Sequence, residues 1–87
     1  MQFYGVLYIH TDNPEQTDIL GLFDDYEKAV DELVERANYR ENAAGQLTQY
    51  LQITDEYDSL ESLKTKVRKT NKLVDVDIYK IIPLHIL

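Results

Sequence analysis

The spacing of apolar residues and helix caps in this 87-residue chain predicts a small α/β (α+β) domain, ordered ββαβαβ. The expected form is a two-layer sandwich, a four-stranded mixed sheet with two helices on one face. Three observations lead there. Apolar side chains alternate with period two over residues 3–10 and 73–82. They recur at three- and four-residue spacing after Asp24 and after Asp58, and strand-helix-strand units ordinarily cross over right-handed with parallel strands.

In the first strand, Phe3, Gly5, Leu7 and Ile9 fall on one face and Tyr4, Val6, Tyr8 and His10 on the other. Asn13-Pro14 marks a turn, and the apolar run 19–23 returns as strand two of a hairpin. Asp24 stands where a helix cap belongs, with Glu27 able to complete a capping box, so helix one is expected over about 25–43. Tyr26, Ala29, Val30, Leu33 and Ala37 form its apolar stripe, and Gly45 supplies a left-handed stop.

Residues 47–54 alternate as a third strand, although they also suit an extension of helix one. Asp58 and Glu61 read as a second capping box. Leu60, Leu63 and Val67 give the stripe of helix two over about 59–70, with Asn71 as its stop. The fourth strand, 73–82, carries Val74, Val76, Ile78 and Ile82 on one face with Lys80 among them, and Pro83 ends it for want of a donor. Residues 20–33 also align with 51–64, pairing Tyr26 with Tyr57 and Asp24-Asp25 with Asp55-Glu56. Duplication, chance or convergence on acids favoured at a helix start yields this pattern.

Length and composition bound the rest. The chain is read as a single domain, 1–87, that buries only about 60–65 % of its unfolded surface, and a homodimer would relieve so thin a core. The absence of cysteine removes disulfide and thiolate chemistry and suits a reducing, cytoplasmic setting. The first ten residues lack a basic leader, and no apolar run reaches the roughly 20 residues that span a bilayer, so neither secretion nor membrane insertion is expected.

Net charge is −7, which disfavours direct nucleic-acid binding. Residues 1–63 hold fourteen acids and three bases, whereas residues 64–72 hold five bases and no acid. Glu27, Asp31 and Glu35 recur every fourth residue on helix one, a column of like charges about 6 Å apart along the axis. Such a column can imitate phosphates and occupy a nucleic-acid groove on a target protein, or it can be a solvated face helped by Lys28–Glu32 and Glu32–Arg36 pairs. The basic segment Lys64–Lys66–Arg68–Lys69–Lys72 can dock on an anionic partner or on the acidic face of a second copy. It can equally complement the dipole at the end of helix two.

Seven tyrosines are many for this length. Tyr4, Tyr8, Tyr50 and Tyr79 are expected on strands, either lining the sheet face left bare by the helices or rimming a thin core. Candidate metal or catalytic groups are His10, Asp12, Asp75, Asp77 and His85, which lack ligand spacing. Gly5, Gly21 and Gly45 are isolated, so no phosphate-cradling loop is present, and Ser59 and Ser62 read as helix-cap and surface residues. No cofactor, metal or catalytic residue is therefore assigned.

The run GLFDDYEKAVDEL, preceded by YGVLYIH and followed late in the chain by VDIYKII, resembles a pattern found in small accessory proteins of bacteriophages and large DNA viruses. The resemblance implies a viral accessory protein and transfers no site residue. Together these readings point to an acidic, non-enzymatic binding module that inhibits a host or defence factor. The alternatives are a homodimeric assembly module and a small-ligand-binding domain or enzyme.

Overall fold

The computed structural model describes residues 1–85. Its elements are β1 (Gln2–Ile9), β2 (Thr17–Phe23), α1 (Tyr26–Arg36), β3 (Tyr39–Glu41), β4 (Leu47–Gln49), β5 (Gln52–Ile53), α2 (Leu60–Thr70), β6 (Lys72–Val74) and β7 (Ile78–His85). One sheet has the order β2-β1-β7-β6 and a second the order β3-β4-β5; every neighbouring pair is antiparallel. The chain is α+β, and its four-stranded sheet is antiparallel where a mixed sheet was expected. The reason lies in the middle of the sequence. The expected third strand never enters the main sheet, so no parallel crossover forms.

That third strand is instead two short ones, β4 and β5, folded back on each other at Tyr50–Leu51, and β3 completes their sheet. The expected fourth strand is also a hairpin. Asp75, Val76 and Asp77 turn the chain between β6 and β7, with the Asp75 N–H donating to the Asp77 carbonyl at 2.8 Å. Alternation hides such a turn, because residues on either side keep the same period.

α1 ends at Arg36 rather than near residue 43. Asn38 takes a left-handed φ of 67° and its N–H returns to the Glu35 carbonyl, after which Tyr39 leaves into β3. Gly45, φ 79°, serves the turn between β3 and β4, where the Asn42 side chain accepts from the Ala44 and Gln46 N–H groups. The caps sit one residue later than the spacing implied. Asp25, not Asp24, accepts from the Glu27 N–H, and Ser59, not Asp58, accepts from the Ser62 N–H. Asn71 is the left-handed stop of α2, as expected. Because α1 starts at Tyr26 while α2 starts three residues after Tyr57, the internal repeat does not place the two helices in register.

Pro83 does not end β7, which continues to His85 beside β1. The Ile81 N–H points away from β1, to the Asn71 carbonyl at 2.7 Å. Two residues on, Pro83 faces the same way, past the end of the three-residue β6, so its missing donor costs no ladder bond.

One buried cluster joins Val6, Leu73, Tyr79 and Ile81 of the main sheet to Val30 and Leu33 of α1, Leu63 and Val67 of α2, and Tyr39 and Leu47 of the small sheet. Each fully buried aliphatic contributes roughly 1.5–3 kcal/mol. Val6 lies on the helix side, so the odd-numbered residues of β1 look the other way.

Candidate functional site

The acid column on α1 meets cations along its whole length. Glu27 is held by Arg68 at 2.8 Å, Asp31 by Lys64 at 3.0 Å, and Glu35 lies 3.7 Å from Arg40. Arg68 also binds Glu61 at 2.7 Å, and these hydrogen bonds, first to Glu27 and then to Glu61, push the guanidinium pKa up. Lys64 and Arg68 lie one helical turn apart on α2, so two of the five basic residues join Asp31 and Glu27 in an interhelical seam, and β3 supplies the partner of Glu35. Of the expected surface pairs within α1, Arg36–Glu32 forms at 2.8 Å.

The tyrosines occupy the helix side. Tyr4 stacks edge-on against Tyr26 with centroids 5.3 Å apart, Tyr8 does the same against Tyr79 at 5.0 Å, and Tyr79 is buried. Only Tyr50 is well exposed, at 65 %, and it sits on the β4–β5 turn rather than on the main sheet. Parity alone groups Tyr4 with Val6 and Tyr8 but cannot say which parity the helices cover.

The bare face is aliphatic. Register places Phe3, Gly5, Leu7 and Ile9 of β1 opposite Leu84, Ile82, Lys80 and Ile78 of β7, with Leu22 and Ile19 of β2 alongside. At its centre is Gly5, whose missing Cβ would lie 3.3 Å from Leu84, 3.4 Å from Ile82 and 3.6 Å from Leu22, so these three side chains converge over it. Ile19 and Leu22 are 69 % and 56 % exposed. Among the described residues, the charged side chains that the register puts on this face are Lys72 and Lys80. Neighbouring strands about 4.8 Å apart, with a rise of about 3.3 Å per residue, make this a patch of roughly 19 by 26 Å.

The candidate metal and catalytic groups do gather in part, since β1 and β7 are neighbours. Asp77 accepts from the Tyr8 hydroxyl and, at 3.0 Å each, from the Thr11 N–H and hydroxyl. These hydrogen bonds, led by the Thr11 backbone, lower the Asp77 pKa, and the bond to Asp77 raises that of Tyr8 to about 12. His10 lies 3.0 Å from Asp18 and packs edge-on against Tyr8, while Asp75 accepts from Gln49 at 2.8 Å. Together these contacts tie the loop after β1 to the turn before β7. Among the described residues, no set of three His, Cys, Asp or Glu side chains is arranged to hold a metal ion.

An open cleft of about 460 Å³ lies between the ends of α1 and α2 and β3, lined by Val34, Tyr39, Leu60 and the Asp31–Lys64 and Glu35–Arg40 pairs. Its charged groups face one another. Among the described residues, no helix is long and apolar enough to cross a membrane. No protein-family model, curated protein or solved structure matches the chain.

Proposed function

We propose that this chain is a non-enzymatic protein-binding module that associates with a second copy of itself through the sheet face bearing Phe3, Leu7, Leu22, Ile82 and Leu84. The carrying observation is that aliphatic face, with Gly5 at its centre and both helices on the opposite side. A face-to-face pairing of two such patches covers about 500 Å² of sheet on each partner, near the lower end of specific interfaces. It also covers the sheet face that the helices leave bare and so adds buried surface to a short chain.

Charge favours the same arrangement. The acids of α1 lie on the helix side, already facing Arg68, Lys64 and Arg40. With sheets stacked about 10 Å apart and helices about 10 Å across, the acidic layers of two copies are roughly 30 Å from each other, several times the ~8 Å screening length at physiological salt. The column therefore enters this reading as an interhelical seam and not as a phosphate mimic.

The chain has no cysteine, so single-cysteine variants report contacts cleanly. Oxidation of Leu22→Cys and Ile82→Cys proteins should give disulfide-linked dimers, and Lys28→Cys, on the outer helix surface, should not. Equal cross-linking at all three positions would contradict the reading.

A further inference from the structure

The β4–β5 hairpin carries a separate signal. Gln49 pairs with Gln52, leaving Tyr50 and Leu51 as a two-residue loop with φ of 51° and 67°. Two successive left-handed residues define a turn that asparagine and glycine adopt readily and bulky side chains adopt at a cost. Here the positions hold a tyrosine and a leucine that are 65 % and 90 % exposed, so neither offsets that cost by joining the core. Strain of this kind persists where something other than the fold requires the residues.

The surroundings specify what the tip fits. Ile53 adds a third exposed apolar side chain, and Gln49 hydrogen-bonds Asp75, joining the hairpin to the β6–β7 turn where Val76 is 82 % exposed. Asp75 and Asp77 flank Val76, and residues 41–63 contain five acids and no lysine or arginine. The tip is thus an apolar knob in an acidic setting. Anionic lipid headgroups would repel that setting, whereas lysines and arginines around an apolar cleft would attract it.

We infer that the Tyr50–Leu51 tip is a docking knob for a second kind of partner, a protein presenting an apolar cleft rimmed by basic side chains. This surface is distinct from the sheet face and does not rest on self-association. The test places photoreactive benzoylphenylalanine at position 51 of the full chain and irradiates it in lysate of the cells that make the protein. A Tyr50→Asn/Leu51→Gly variant serves as competitor, and this variant should melt several degrees higher than the parent because asparagine and glycine suit the turn.

The expected result is an adduct with a different protein that weakens at high salt. Excess unlabelled parent should suppress it at least tenfold more effectively than the variant, the cross-linked peptide should lie beside lysine or arginine, and phosphatidylserine vesicles should not sediment the chain. Four results would overturn the proposal: no adduct, an adduct only with a second copy, equal competition by parent and variant, or vesicle binding abolished by the variant. An Ile82→Glu chain should retain the adduct, which separates failure here from failure of the self-association reading.

Discussion

The guanidinium of Arg68 on α2 clasps the carboxylate of Glu27 on α1: Nε lies 3.1 Å from both oxygens and Nη2 2.8 Å from Oε1. This forked geometry joins two helices through residues 41 apart in sequence and adds direction to charge. Glu27→Arg or Arg68→Glu alone should lower the melting temperature, and the exchanged pair should recover much of the loss. A double-mutant cycle should show coupling that falls towards zero as salt approaches about 1 M, where the screening length is about 3 Å. At the neighbouring Asp31–Lys64 pair, joined by one contact at 3.0 Å, Asp31→Ala should cost only about 0.2–1 kcal/mol.

The Tyr8–Asp77–Thr11 contacts make stability depend on pH at both extremes. Asp77 has a lowered folded pKa, so its contribution is complete above the unfolded aspartate value and disappears as pH falls below about 4. Tyr8 has a folded pKa raised to about 12, so its contribution is complete below about 10 and is lost between about 10 and 12. Chemical denaturation across pH should therefore show Tyr8→Phe flattening the alkaline limb and leaving much of the acid limb. Asp77→Ala should flatten both.

The two strand glycines should respond differently to alanine. At Gly21 a Cβ would lie 2.8 and 2.9 Å from the ring of Phe23, which packs against the core, so Gly21→Ala must displace that ring. A cost of about 1–3 kcal/mol is expected, as for other overpacked sites. At Gly5 the nearest atoms are side-chain carbons at 3.3 Å or more on the bare face, and stability should change by less than about 1 kcal/mol. Urea denaturation of both variants measures the difference.

In the β4–β5 turn, Tyr50→Asn/Leu51→Gly should stabilise the chain by about 1–2 kcal/mol, because it relieves two left-handed bulky residues that contribute nothing to the buried cluster. A loss of stability would mean that the two side chains support the fold.

Much of the outer frame was readable from residue pattern. β1, β2 and α2 lie within two residues of their expected limits, because β1 and α2 have a clean period, β2 is an apolar run after a turn, and α2 has Asn71 as its stop. The misread segments share one cause, reversals made without the usual glycine or proline. Asn38 ends α1, Tyr50–Leu51 folds β4 onto β5, and Asp75–Asp77 folds β6 onto β7. Asn38 before an aromatic residue was the one available warning, since asparagine tolerates the left-handed region.

The site was half legible. The alternation that separates Phe3, Leu7 and Ile9 from Tyr4, Val6 and Tyr8 was plain, and a bare sheet face was expected. Which set the helices covered depends on packing between elements distant in sequence, and the tyrosines proved to be on the covered side. The acid column was equally plain, yet its cations come from α2 and β3 and could not be paired with it by local spacing.

Sedimentation equilibrium of the full chain and its Ile82→Glu variant bears most directly on the role of the sheet face. The parent should approach twice its 10.2 kDa mass at micromolar concentration, while the variant, shown by circular dichroism to be folded, should remain at 10.2 kDa. A parent that stays at 10.2 kDa up to millimolar concentration, or a variant that dimerises as well as the parent, would contradict self-association through that face.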